Sequence, residues 1–560
     1  MRNLKRALSL TLASVMLLGM MVVGAGAASY PDVDEKDNIE AIEVLQAVKV
    51  MVGDEKGNFG PDQPVNRAQM AVVMALLLDL DYDYYEGTNH FVDVPAWAAP
   101  YVAACYANGI VSGYDAYTYG SGDPVTAVQA ASMMMRALGY FKYPSDYSNN
   151  GGFELATVKQ ASKIELFRQI NANAKDPLTR NQVAQLALNA LKTPIVEAED
   201  KTFNLVDGNG NLVVTGGQVN YVVTASNQAF ARAIDDAESN GNALNGVNGY
   251  IIELGEKLYN GKLKLDNDAT DPFDRPARKW EFDGKGIGTY AKKELLEKEY
   301  VGEVTGKDLY DLLGATTIKD YDLNVAIDGV NTAGIVGTDS ANLNHDYVFT
   351  AVDMNKNNKA GVGNTGVGTL TQVYVDHEKD KISIAIINTY LAIASKNYDD
   401  KKDETSISAY SMKRVGDEYV KVNKNGTSAA TVTLNPAGED FALVKDLQKD
   451  DAVLITVAEG DIQTIALAEV LESVSISAFK KKDNITVDGT KYSYTTTAGY
   501  RDGDLDVYTG NDGKENLKDR TYNVYLDTYG NLIGLKEVEA KKNYVFISAI
   551  SAQDNTLMNT

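Results

Sequence analysis

The chain has 560 residues, 44% of them hydrophobic and 23% charged, and its 77 acidic side chains against 53 basic ones give a formal net charge of −24. That length is enough for several domains with their own cores, and the apolar fraction excludes a disordered polyanion. The acidic balance speaks against nucleic acid as a partner, and the single cysteine, Cys105, excludes an intrachain disulfide.

Residues 1–28 open with Arg2, Lys5 and Arg6, continue as an apolar run from Ala7 to Val23, and end in small residues from Gly24 to Ala28. This is the pattern of a secretory signal, with cleavage expected after Ala27 or Ala28. The run is short for a bilayer span and no later segment looks membrane-spanning, so no membrane contact is expected after cleavage. A large exported chain without disulfides fits a bacterial exterior and must draw its stability from burial.

A short phrase then occurs three times: Asn66-Arg67-Ala68-Gln69, Thr126-Ala127-Val128-Gln129 and Thr179-Arg180-Asn181-Gln182. Asn or Thr followed three residues later by Gln predicts a capping box, and apolar residues at helical spacing follow, such as Met70, Val73, Met74 and Leu77. The copies span about 30–81, 90–139 and 153–192, at intervals typical of stacked repeats, each with two helices around a loop. Capping explains the outer letters but not Arg67 and Arg180, which set a cation beside the positive end of a helix dipole. Free helix amides beside a cation would form an anion-binding corner; pairing with Asp62 or Asp176 is the alternative. Cys105 takes the place of Leu45 in the first copy and reads as a small core residue.

These residues resemble the S-layer homology domains that hold bacterial surface proteins to secondary cell-wall polysaccharide. The family's Thr-Arg-Ala-Glu phrase is matched at Asn66–Gln69 and Thr179–Gln182, and its Phe-x-Asp-Val opening at Phe91–Val94 and, less closely, Tyr30–Val33. Its tryptophan is matched by Trp97, and its Gly-Ile-x-x-Gly loop by Gly109–Gly113. The resemblance implies an all-α, pseudo-threefold assembly of three repeats over residues 29–195, with grooves that hold an acidic, often pyruvylated sugar. The glycan-binding candidates it implies are Asp32, Gly53, Arg67, Asp93, Trp97, Gly113, Tyr114 and Arg180. Asp32 and Asp93 equally suit caps of the next helix, and Trp97 equally suits the core. The second copy has Ala127 in place of Arg, and the third has Gln169 where the others have Gly53 and Gly113, so unequal grooves are expected.

Beyond Pro194 the chain turns β-rich, and mainly antiparallel, sandwich-like modules are expected over 196–345, 346–470 and 471–560. A hairpin is predicted around Asp207-Gly208-Asn209-Gly210, with later strands at Leu323–Ile327, Tyr347–Val352, Thr371–Val375, Ile382–Ile387, Ala452–Val457, Tyr522–Leu526 and Tyr544–Ile547. Helices are expected at Tyr290–Glu297 and at Lys307–Leu313, the latter closed by Gly314. The chain stops soon after an apolar strand, as a shortened member or a fragment would.

No catalytic residue is assigned: His90, His345 and His377 are scattered, and neither His-Glu-x-x-His nor Gly-x-Ser-x-Gly occurs. No metal site is assigned either. Asp266, Asn267, Asp268, Asp271 and Asp274, and Asp353 with Asn355 and Asn357, offer calcium ligands but lack EF-hand spacing and read as solvated turns. The expected function is that of a secreted envelope protein, bound to an acidic wall polysaccharide and with a β-rich outer part for lattice assembly or display. An anchored enzyme acting on extracellular polysaccharide, or an adhesin, is the alternative.

Overall fold

The structure is a computed structural model that describes residues 30–34, 36–206, 212–226, 250–331, 349–363, 365–409, 412–415, 418–421, 430–434, 441–458, 461–480, 483–500 and 517–538. The signal-like leader, the Asp207–Gly210 turn, the strand expected at Tyr544–Ile547 and the chain's end lie outside these residues. Among the described residues, no helix is long and apolar enough to cross a membrane.

Each repeat supplies a pair of helices to the N-terminal region, α1 (Ile39–Ala47) and α2 (Arg67–Leu77), α3 (Ala99–Ala107) and α4 (Ala127–Ala137), α5 (Phe153–Lys163) and α6 (Arg180–Leu191), and they pack mainly between repeats, α1 on α6, α2 on α3 and α4 on α5. The second helix of each pair starts with the predicted reciprocal capping box, Asn66 with Gln69, Thr126 with Gln129 and Thr179 with Gln182. The first helix of each pair is followed by a residue in the left-handed region, Lys49, Gly109 and Glu165, which turns the chain into the loop. Cys105 is buried and its thiol lies 3.4 Å from the Ala71 carbonyl. Burial pushes the thiol pKa up to about 12, which suits a core residue and not a nucleophile.

Just ahead of the capping boxes, three backbone hydrogen bonds close a ring. The Val65 N–H donates to Leu178 O at 3.0 Å, Leu178 N–H to Val125 O at 3.0 Å, and Val125 N–H to Val65 O at 2.8 Å. The three units therefore close on one another through these bonds.

The β-rich part begins with a hairpin of Val196–Val206 and Leu212–Val223, then a three-stranded sheet of Leu263–Thr270, Pro276–Phe282 and Lys285–Ala291. This sheet shares a core with the helices: Leu263, Leu265, Trp280 and Ile287 belong to one buried apolar cluster with the helical residues. The break expected at 195/196 is thus not a break in the core.

Next comes a mixed five-stranded sheet in the order Val330–Asn331, Asp322–Ile327, Lys381–Ile387, Leu370–Asp376 and Leu296–Tyr300. Strands from both sides of the break expected at 345/346 pair directly here, Asp322–Ile327 running parallel to Lys381–Ile387. A helix, Gly306–Asp320, covers one face through Leu309, Leu313 and Ile318. Gly314, expected to close it, kinks it at φ 76°, and helical turns resume beyond. A second five-stranded sheet follows (Ala430–Leu434, Thr405–Ala409, Tyr390–Ala394, Ala452–Ala458, Asp461–Leu467), and the last unit is a closed barrel of Glu469–Lys480, Asn484–Val487, Thr490–Tyr500, Leu532–Glu537 and Thr521–Leu526. Leu391, Ile393, Ala452 and Leu454 on one face of the second sheet pack against Tyr525 and Ile533 of the barrel, while Tyr390, Ala392, Val453 and Ile455 fill a core on the other face. Burial on both faces explains why Tyr390–Ala394 and Ala452–Ala458 read as continuous apolar runs.

Pairing is mainly antiparallel, but the sandwich expectation is corrected by the barrel, which leaves no open strand edge, and by two parallel pairs. The helix expected at Tyr290–Glu297 is instead a strand end, a short 3-10 turn and the start of Leu296–Tyr300. Pairing with the flanking strands overrides the helix preference of Lys293-Glu294-Leu295-Leu296. The described part of Tyr347–Val352 is a loop that enters a turn rather than a strand.

Candidate functional site

The capped helices present their N-termini to the loop of the next unit around the ring. On α2 the Arg67 and Ala68 amides donate to Asp123 O and Ser121 O, on α4 those of Ala127 and Val128 to Asp176 O and Ala174 O, and on α6 those of Arg180 and Asn181 to Gln63 O and Pro61 O. The first-turn amides are therefore taken up by carbonyls, and the expected corner of free amides does not exist. Joining the units satisfies these groups in place of a ligand.

The two arginines follow their helices into the same loops. Arg67 Nε donates to Tyr119 O at 3.0 Å and its Nη2 to Ser112 O at 2.9 Å, and the guanidinium lies over the rings of Tyr114 and Tyr119 at 4.7 and 4.6 Å. Arg180 repeats the arrangement, with Nε to Phe59 O at 2.7 Å, Nη2 to Val52 O at 2.9 Å, and the Phe59 ring at 4.6 Å. Arg67 is only 4% exposed, while Arg180 is half-buried and burial lowers its pKa. Among the described residues neither forms an ion pair, so the expected alternative partners, Asp62 and Asp176, are not engaged. Both cations are solvated by carbonyl and ring faces, with no carboxylate in contact. At the third junction Ala127 brings no cation.

Asp32 and Asp93 cap no helix. Asp32 accepts from the Phe59 and Gly60 amides at 2.8 and 2.7 Å, and Asp93 from Tyr119, Gly120 and Ser121 at 2.7, 2.7 and 3.1 Å. Each carboxylate thereby pins the loop whose carbonyl the neighbouring arginine grips. Burial alone would raise the Asp93 pKa, but the three amides hold it below the usual carboxylate range.

Gly53 and Gly113 are required by close approach. A Cβ on Gly53 would strike the Tyr30 ring, and one on Gly113 would strike the Phe91 ring and come within 2.6 Å of Asp115 O and 2.7 Å of Thr118 O. Gly113→Ala is therefore expected to lower stability by about 1–3 kcal/mol through overpacking, measured by urea unfolding of the full chain. Gly122→Ala is the control, because nothing lies within 4 Å of a Cβ there.

Trp97 and Tyr114 stand open at 55% and 54% exposure, so the core alternative for Trp97 does not hold. Tyr117, not singled out from the sequence, is also exposed, and its carbonyl accepts from Val92 N–H. Its position in the loop that Arg67 grips was the available signal. The junction at Arg180 is poorer in rings: Lys36 lies four residues after Asp32 as Trp97 lies four after Asp93, and Asp54 follows Gly53 as Tyr114 follows Gly113. By contact, Arg67, Asp93, Gly113 and Tyr114 belong to one junction loop and Asp32, Gly53 and Arg180 to another, while Trp97 is exposed four residues after Asp93.

The acidic loops considered for calcium use their carboxylates otherwise. Asp271 is fully buried in an ion pair with Arg275 at 2.6 Å rather than in a solvated turn, Asp268 pairs with Lys379, and Asp274 accepts from Asn324 and Asn331. Asp353 accepts from Thr350.

The S-layer homology domain model matches residues 29–71 and 90–126. The chain is 25% identical over 468 residues to a cell surface protein of Thermoanaerobacter kivui, covering 81% of this chain and 52% of that one. It is 21% identical over 568 residues to a surface layer protein of Brevibacillus choshinensis, covering 91% and 49%. An endoglucanase of Bacillus sp. (strain KSM-635) is 25% identical over 253 residues, covering 38% and 26%. The chain spans about half the length of the two surface proteins.

Proposed function

From the premise that this chain carries S-layer homology domains, we propose that its three helix pairs form one pseudo-threefold unit that holds the protein to an acidic secondary polysaccharide of the cell wall. The β-rich remainder then faces outward, for lattice assembly or display. The observation that carries this reading is the Arg67 junction: a guanidinium free of carboxylate contact, against the exposed ring of Tyr114. Rings suit the faces of sugars, and an uncompensated cation suits a sugar acid. The Arg180 groove has the cation without the tryptophan and serves as a weaker site, and the Ala127 junction serves as none. The names of the surface-protein relatives favour a non-catalytic role over an anchored enzyme.

The test is co-sedimentation of the full chain with Gram-positive cell walls, before and after their secondary polysaccharide is removed. Binding should vanish with the polymer. Trp97→Ala should weaken it about tenfold while shifting stability by less than ~0.5 kcal/mol, since the ring is exposed. Undiminished binding to stripped walls overturns the polysaccharide reading.

A further inference from the structure

One recess in the described structure is separate from these junctions. It is a cleft of about 1110 Å³ between the helical region and the β-rich part, lined among others by Lys192, Asn220, Asn267, Lys292 and Lys379. The size is ample for a small saccharide, and the lining mixes cations with amides and with carboxylates, among them Glu199, Glu294, Asp376 and Glu378.

Its charges are unevenly matched. Arg278 is held by both Glu40 and Glu294, and Lys192 acts on the same two carboxylates. Lys379 is paired with Asp268. Lys292 is only 8% exposed, yet among the described residues its ammonium has neither a hydrogen bond nor an ion pair. The opposite charges that act on it are Glu294 and Asp268, both engaged with other cations, while Lys379 and Arg278 add repulsion. Burial, followed by those two cations, lowers its pKa. Lys292 thus lines the cleft with an ammonium that has no counter-charge in contact among the described residues, on a side chain that is otherwise buried, which favours an anion that can complete it.

We propose that this cleft is a second, separate anion site, which binds a sugar acid or a comparable small oxyanion with its negative group on Lys292. Lys379 borders that position, and Asn220 and Asn267 offer amides to hydroxyls. The site lies at the seam of two units, so occupancy would bind them together.

The experiment is thermal unfolding of the full chain with glucuronate, inorganic phosphate or neutral glucose at matched ionic strength. In an Arg67→Ala background, where the wall-binding junction is disabled, glucuronate should raise Tm, glucose should not, and adding Lys292→Met should abolish the shift. A shift with glucuronate but not phosphate assigns a sugar acid, and equal shifts assign a small oxyanion; both support the site. Lys292→Met should itself fold, since it removes an unpaired charge. Should it not, Lys379→Met, at a half-exposed position, should weaken the response several-fold. No shift with either anion, or a shift retained in the lysine variants, overturns the proposal. Because wall co-sedimentation depends on Arg67 and Trp97 and not on Lys292, failure here leaves the wall-binding reading intact.

Discussion

Glu40→Ala is expected to destabilise the protein by about 3 kcal/mol, the low end for breaking a buried ion pair, because Arg278 keeps Glu294. Glu40 lies on α1, and its carboxylate takes both Arg278 Nε at 2.8 Å and Nη2 at 2.9 Å, and Trp280 Nε1 at 2.7 Å, all from the first sheet of the β-rich part. Glu43, one turn later, accepts from the Tyr290 hydroxyl of the same sheet. Removing Glu40 leaves a buried guanidinium half-satisfied and a buried indole N–H without its acceptor. Lys264→Ala, which breaks an exposed pair with Glu281, should change stability by no more than about 0.5 kcal/mol. Equal effects in urea melts would mean that this seam does not hold the two units together. Residues 30–195 alone lose the Glu40 partners and the apolar cover of Leu263, Trp280 and Ile287, so that fragment is expected to melt well below the full chain.

The same seam gives a signed pH dependence. Burial alone would raise the pKa of Glu40 and of Glu294, but Arg278 overrides it and holds both below the usual carboxylate range. A carboxyl lowered in the folded state stabilises fully above its unfolded pKa of about 4.3, and that contribution is lost as pH falls through the folded value. Acid should therefore loosen the seam in the parent protein, and Glu40→Ala should flatten that part of the stability profile.

Arg67→Ala is the second large expected effect, and it has two parts. Wall affinity should fall about tenfold or more, the scale of one charge-assisted contact. Stability should also fall, by about 1–3 kcal/mol, because Ser112 O and Tyr119 O lose their donor inside a packed junction. Trp97→Ala separates the two, since it should weaken binding with the fold untouched. Arg180→Ala should cost less affinity, because its groove lacks the tryptophan. An Arg67→Ala protein that both melts and binds as the parent does would remove Arg67 from the site.

The helical region was legible because its signals are local. A capping box is written in four residues, and all three expected boxes are present. What Arg67 does was not legible, because its acceptors, Ser112 O and Tyr119 O, are backbone atoms some fifty residues away, and any side chain leaves a carbonyl in place. The cap alternative for Asp93 and Asp32 fails for the same reason: the loop amides they bind carry no side-chain signature. In the β-rich part the strands were readable from Val, Ile and Tyr runs, but their partners were not. The pairing of Asp322–Ile327 with Lys381–Ile387 crosses the boundary that composition suggested. Residues near Tyr290 show the converse, a helix-favouring string forced into strand and turn by its neighbours.

The ring of three backbone bonds at Val65, Val125 and Leu178 fixes how many units this region can have. In an open solenoid each unit touches only its neighbours, so units can be gained or lost with little effect on the rest. A closed ring has no end at which to add one, and taking one away strands a buried donor and a buried acceptor. The units are thus free to differ in what their grooves hold but not in number, which lets one junction carry Trp97, another Lys36 and a third only Ala127 while the frame around them stays the same.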